Sequence, residues 1–374
     1  MKQPQILIVG LGNIGGHVLD MLARTTGIGK IIVAGRNKDY LHRRANLSMF
    51  VASQFGYYPE VKNVICDLSN IEQTAETLFK LKPDLIFNAT TVQPHRVLTL
   101  LPKKVFQELD QAQLGPWLPM HLSLMYKLMQ AIKQTHLNVR VINAAFPDAV
   151  NPILKQVGLA PTIGIGHVAN IIPALRKSIS FWLGVPITQV EVFLIAQRYV
   201  TSSIPRFGHP GEVPCYLRTR VNGIDMTDQL DLHKVYDALP TQFKRVGGTE
   251  GNLLTAASAA KVIIAMANNT GESMHAPGPN GLPGGYPVKV DSKGGSILLP
   301  EPLTLQQAIH INEEGQRVDG IEKIDLDGTV HFSTHNMAIM KRILGYECKT
   351  MKVEESEEHA RELKIKCQKL IERF

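Results

Sequence analysis

Three glycines, Gly10, Gly12 and Gly15, stand between the apolar run 6–9 and an amphipathic stretch, spaced Gly-x-Gly-x-x-Gly. Where a strand turns into a helix, this spacing sets backbone N–H groups and a helix N-terminus against a diphosphate. Gly10 permits the tight turn, Gly12 lets phosphates approach the backbone, and Gly15 lets the helix lie close to the strand. Asn13 and Ile14 open the helix and complete the candidate cradle. The rival reading is a tight turn that binds nothing.

The end of the next apolar run bears on the nucleotide. A site for NAD would carry an acidic residue about 20 positions on, to hold the ribose 2′-hydroxyl. Here the chain reads Gly35-Arg36-Asn37. A guanidinium at this point can pair with a 2′-phosphate, and Gly35 leaves it room, so NADP is expected over NAD. In the alternative, Arg36 is a solvated charge and Asp39 serves the ribose. Asp67, closing a later strand, is placed to accept from the adenine amine. Asn88, Ala89 and Thr90 close another and are expected near the ribose and nicotinamide, and Asn143 is a candidate for the carboxamide or the substrate.

Hydride transfer to a carbonyl needs a proton donor beside the oxygen, and imidazole suits that work near neutrality. His209, in the turn FGHPGEVP, is the first choice, with Glu212 as a source of charge nearby. His167, in Gly-x-Gly-His, is the alternative, and for either a purely structural role competes. Arg198 and Arg206, which precede His209, are candidates to bind an anionic group.

These residues need a frame that collects them. The first 150 residues alternate strand and helix patterns: strands at 5–9, 30–34, 62–67, 83–90 and 139–145, with helices at 13–25, 38–54, 70–80 and 119–135. That rhythm implies an α/β fold, a parallel sheet with helices on both faces, and ligands bound beyond the strand C-termini. Past residue 165 the pattern shifts to longer, antiparallel-type strands at 189–200 and 214–226 and a small-residue helix at 253–268. Residues 275–290, dense in Gly and Pro, are expected as a loop, and its His275, Asn280 and Tyr286 would serve as a lid or an interface. Residues 354–373 form a charged helix. The expected division is a nucleotide-binding domain over 1–165 and an α+β catalytic domain over 166–374.

With 44% hydrophobic residues and a net charge of +7, the 374-residue chain reads as an ordinary globule. Its Lys and Arg residues are dispersed, which argues against nucleic acid and for a small anionic cofactor or substrate. Four distant cysteines make neither CxxC pairs nor a disulfide frame, in keeping with a cytoplasmic chain. No apolar run is long enough for a membrane span. Neither HExxH, Gly-x-Ser-x-Gly nor Walker A spacing occurs, which leaves no motif for a zinc protease, an α/β-hydrolase or a P-loop.

Two stretches, VINAAFPDAVNPILKQVGLAPTIGIGHVAN at 141–170 and FGHPGEVPCY at 207–216, resemble the lactate/malate dehydrogenase superfamily. The resemblance implies that fold, a catalytic His at His209, a carbonyl-polarising arginine at Arg96, where the family's mobile loop begins, and a homo-oligomer. It also puts Asn170 where that family's His-orienting aspartate falls and Pro173 where its substrate arginine falls, with Arg176 a helical turn away. A simple 2-hydroxy acid is therefore not the expected substrate. Residues 67–90 resemble saccharopine dehydrogenase-type or extended short-chain reductase domains, which often use NADP. The reading is an NADP-dependent oxidoreductase acting on a carbonyl or alcohol. Its rivals are a nucleotide sensor without turnover and a saccharopine- or opine-type amine dehydrogenase.

Overall fold

A computed structural model describes residues 4–374. The first half alternates as its sequence pattern demands: β1 (Ile6–Val9), α1 (Asn13–Leu22), β2 (Ile31–Gly35), α2 (Lys38–Gln54), β3 (Val61–Ile65), α3 (Ile71–Leu81), β4 (Leu85–Asn88), α4 (Lys103–Asp110), α5 (Leu118–Thr135), β5 (Arg140–Asn143), α6 (Pro147–Gln156), β6 (Ile163–Gly164) and α7 (Val168–Leu183). The six strands form one parallel sheet in the order β3-β2-β1-β4-β5-β6. Order reverses between β1 and β4, which creates the crevice that such sheets use for ligands. The two-residue β6 is a strand that the sequence reading did not contain.

The second half continues with β7 (Val190–Ile195), α8 (Arg198–Phe207), β8 (Tyr216–Val221), β9 (Ile224–Asp225), α9 (Leu232–Asp237), α10 (Gly248–Asn268), β10 (Glu272–Pro277), β11 (Gly285–Asp291), β12 (Gly294–Ile297), α11 (Leu305–Val318), β13 (Ile321–Ile324), β14 (Val330–Phe332), α12 (Thr334–Leu344), β15 (Thr350–Met351) and α13 (Ser356–Ile371). Its strands make three antiparallel sheets, β7-β8-β9, β10-β11-β12 and β13-β14-β15. The run at 189–200 is not one strand. It ends at Ile195, and Gln197 caps α8 by accepting from the Tyr199 N–H. The run at 214–226 is a hairpin whose turn, Asn222-Gly223, has positive φ at both residues, the geometry that a two-residue connection favours.

Alternate residues of β1 serve opposite faces. Leu7 and Val9 belong to one core cluster with residues of α5, α6, α12 and α13; Ile6 and Ile8 belong to another with residues of α1, α10 and the β10-β11-β12 sheet. Period-2 alternation in a strand buried on both faces produces this division. The second half thus clothes both faces of the parallel sheet. A third cluster joins α7, α8 and α9 to β7 and β8.

The Gly/Pro-rich stretch departs from the expected loop. Residues 272–277 and 285–291 pair as antiparallel strands, and His275 and Tyr286 are buried, so they form no lid. The intervening turn is clamped onto α6. Asn151 Nδ2 donates to the Gly278 carbonyl at 2.9 Å, and the Gly284 N–H donates to the Asp148 carbonyl at 3.1 Å. A Cβ on Gly278, whose φ is +60°, would stand 2.6 Å from both Asn151 Nδ2 and the Pro147 carbonyl. Glycine here permits a close approach of two backbones.

Candidate active site at the carboxyl edge of the parallel sheet

The glycine turn has the geometry its spacing implies. Gly10 takes φ +90° against Ala89 and Thr90, and a Cβ on Gly15 would lie 2.0 Å from the Gly10 carbonyl oxygen. Around Gly12 the opposite holds: an added Cβ would meet nothing within 4 Å. Gly12 is the N-cap of α1, and no side chain caps that helix. The first N–H groups of α1 are therefore free to bind an anion, and the cradle fits a diphosphate. Asn13 Oδ1 accepts from Asn252 Nδ2 at 2.8 Å, which ties α1 to α10, and Ile14 packs into the core beneath.

Arg36 is exposed just beyond β2. Asn37 caps α2 by accepting from the Tyr40 N–H at 2.9 Å, and Asp39 pairs with Arg43 one turn on. Asp67 lies two residues beyond the end of β3, with the Ser69 N–H on Oδ1; that bond, aided by the charges of Arg36 and Lys127, holds its carboxyl below the usual range. Ala89 continues β4 by donating its N–H to the Val9 carbonyl, and Thr90 Oγ1 donates to Asn88 Oδ1 at 2.7 Å. Asn88 and Asn143 are fully buried, and their polar atoms already have partners. Asn143 Nδ2 donates to the Ala145 carbonyl and Asn151 Oδ1, while its Oδ1 accepts from the Ala145 N–H. Both brace the strand ends from within.

His209 lies in an exposed turn after α8. Its Nδ1 accepts from the Gly211 N–H at 3.2 Å, its ring stacks on Phe207, and among the described residues it has no carboxylate partner. Asn170 instead donates Nδ2 to Thr255 Oγ1 at 2.9 Å. Arg96 is exposed on the short helical turn His95–Leu100. Arg206 pairs with Asp110 at 2.6 Å, and Arg176 donates to the Ile187 carbonyl. Arg198 is held in an ion pair with Asp319.

A different imidazole is paired. His167 Nδ1 lies within hydrogen-bond reach of Asp148 Oδ2, where the Asp148 side chain is 0% exposed and that of His167 24%. The other carboxylate oxygen, Oδ1, accepts from the Arg198 N–H at 3.0 Å. Arg198 in turn binds Asp319, whose Oδ2 also accepts from Gln197 Nε2 at 2.9 Å. Asp148 sits in the first turn of α6, which favours its negative charge. His167 follows β6. Because β5 and β6 are parallel neighbours, the segments leaving them emerge on one edge, the same edge as the glycine turn. Phe146, beside the pair, and His167 itself take positive φ without being glycine, at +44° and +42°. Such conformations cost about 1–3 kcal/mol each and gather at functional sites.

Two further histidines stand near. Phe146 lies edge-on between His121 and His167, with ring centroids 6.0 and 6.2 Å away. Burial pulls His121 down to about 3, and burial together with the Arg198 charge pulls His95 down to about 4, so both are neutral at pH 7. No group of three or more metal-ligating side chains occurs among the described residues.

The carboxylate Asp148 did not figure in the sequence reading. Its available signal was an acidic residue in the helix that leaves one strand, with a histidine just beyond the next. That signal becomes specific only when the strands are known to be neighbours, and β6 is too short to be seen in a hydropathy pattern.

Fold and glycine turn together define a class: a parallel sheet with a glycine turn at its ligand edge joined to an α+β half, the fold also of lactate and malate dehydrogenases. Residues 6–99 match the family model of the saccharopine dehydrogenase NADP-binding domain. Among solved structures, the lactate dehydrogenase of Cryptosporidium parvum is 15% identical with a TM-score of 0.55, over 85% of this chain and 99% of its own. The malate dehydrogenase of the same organism is 14% identical with a TM-score of 0.56, over 85% and 99%. That of Picrophilus torridus is 16% identical with a TM-score of 0.57, over 85% and 98%. At this identity the likeness is one of fold. No curated protein matches the sequence.

Proposed function

We propose that the chain is an NADP-dependent oxidoreductase that interconverts a carbonyl and an alcohol, with His167 and Asp148 as its acid/base pair. One observation carries the proposal. A part-exposed imidazole is held by a fully buried carboxylate on the sheet edge where the glycine turn opens. The nicotinamide, when bound, supplies or accepts the hydride. Gly10, Gly12 and the N-terminus of α1 would hold its diphosphate, and Arg36 the 2′-phosphate.

The chain's own part is proton movement. With Nδ1 committed to Asp148, Nε2 is the nitrogen left to exchange a proton with the substrate oxygen. In the reducing direction the imidazolium gives up that proton, and before the transfer the carboxylate stabilises its charge. Asp148 also fixes the tautomer, so that Nε2 is an acceptor once neutral. Oxidation runs the same path backwards. Neutral His121, with Phe146 between the rings, adds no second positive charge beside the imidazolium.

The match of residues 6–99 to a saccharopine dehydrogenase domain favours one second reading, an amine rather than an alcohol as the reduced substrate. Turnover that depends on ammonium or an amino acid would select it. The primary test is a fluorescence titration with NADPH and with NADH. Tighter NADPH binding is expected, and the absence of binding by either nucleotide would overturn the proposal.

A further inference from the structure

The structure carries a groove whose charge has no use in the reading above. It measures about 530 Å³ and lies among α7, α8 and the start of α10. Arg206, Lys244 and Arg245 line it, and none of its lining residues is acidic. Arg206 is engaged by Asp110, whereas Lys244 and Arg245 have no carboxylate partner among the described residues. A concave site lined by one sign of charge focuses its field on a counter-ion.

Two residues of the groove's wall are tied to parts of the reaction site. Asn252, in its wall, donates to Asn13 at the head of α1. Thr255, also in its wall, accepts from Asn170, and a Cβ on Gly166, the residue before His167, would lie 3.2 Å from the Thr255 methyl. The first turn of α10 carries Glu250, which does not line the groove, and brings its backbone N–H groups to it. Its N-cap is Gly247, no side chain caps it, and Gly248 at φ +61° brings open backbone to the groove, where an added Cβ would meet nothing within 4 Å. Pro173, on α7, carries no charge to do this work.

We propose that this groove binds an anionic group of the substrate, a carboxylate or a phosphate remote from the reacting carbonyl, through Lys244 and Arg245. The inference rests on the oxidoreductase reading, since it makes the groove the seat of the substrate's distal end. The cations sit beside the loop that starts α10, so a substrate long enough to span from His167 to Lys244 would be recognised at both ends.

The test is calorimetric titration of the full chain with inorganic phosphate and, separately, with succinate, each with and without saturating NADPH. Saturable binding of at least one probe is expected, persisting with NADPH and weakened about tenfold or more in Lys244→Ala/Arg245→Ala. The better-bound probe identifies phosphate or carboxylate as the source. Lys244→Glu, a single surface change, should abolish the same binding and serves if the double variant is poorly behaved. The inference is overturned if neither probe binds saturably, if the variants bind as the parent does, or if NADPH displaces the probe, which would place the anion in the nucleotide cradle. NADPH binding is read in the same samples, and its absence would sink the oxidoreductase reading and leave the anion site standing.

Discussion

The chemistry turns on which histidine has a partner. An imidazole with a carboxylate on Nδ1 has a defined tautomer and a stabilised cation, and His167 has one. His209 has the Gly211 N–H on that nitrogen instead. If His167 transfers the proton, His167→Gln should lower kcat by about 10²- to 10⁴-fold, and Asp148→Asn by a smaller factor, with NADPH affinity unchanged in both. His209→Gln should leave turnover within about a factor of two. The reverse ranking in steady-state assays would return the role to His209. Cofactor choice is likewise a matter of one side chain. Arg36→Ala should weaken NADPH about tenfold, near 1.4 kcal/mol, and leave NADH unaffected, since only the first has a 2′-phosphate to lose. Equal weakening of both in a fluorescence titration would assign Arg36 to the diphosphate instead.

Elements place these residues, and they differ in how far the sequence exposes them. The βαβ rhythm, the glycine turn and the amphipathic helices are local patterns, so they were readable. The Gly/Pro stretch was not, because its strands owe their pairing to partners across a turn, and because glycine there serves close packing on α6. Gly278→Ala tests that role. With φ +60° and a Cβ 2.6 Å from α6, the change should destabilise the fold by about 1–3 kcal/mol. Since α6 carries Asp148, kcat should fall more than NADPH affinity. An alanine variant with parental stability and turnover would refute the clamp. His275, on the same hairpin, gives it a pH signature. Its Nε2 accepts from the Leu194 N–H at 3.1 Å, and burial pulls its pKa down to about 3. It is neutral when folded and protonates near pH 6.5 when unfolded, so the stability it contributes is complete above pH 6.5 and is lost as pH falls towards 3. Its share of the slope is about 1.4 kcal/mol per pH unit. Urea midpoints of His275→Gln should therefore fall less steeply with acid than those of the parent, and parallel curves would contradict this account.

At the scale of the whole molecule, the two halves of the sequence are folded into each other. Helix α10 packs on α1 across one face of the sheet, and α13 on α5 across the other. Such long-range docking leaves no trace in local periodicity, which is why a boundary near residue 165 reads more sharply in the sequence than the packing does. One polar junction runs through the middle. Asp319, at the end of α11, is wholly buried and receives the Arg198 guanidinium, Gln197 Nε2 and the Leu114 N–H, thereby joining α8, α11 and the segment before α5. Removing one partner of a buried pair strands the other, at a cost of about 3–5 kcal/mol. The two sides are unequal, however. Arg198→Ala leaves Asp319 with two remaining donors, whereas Asp319→Ala orphans a guanidinium, an amide and a backbone N–H together. Asp319→Ala should therefore cost more in urea denaturation than Arg198→Ala. Both should depress kcat beyond their effect on nucleotide binding, because the Arg198–Asp319 pair positions the backbone at residue 198, whose N–H holds Asp148 Oδ1. If Arg198→Ala costs less than about 1 kcal/mol and leaves kcat intact, the junction is a solvated contact, and the orientation of Asp148 must come from α6 and the hairpin clamped to it.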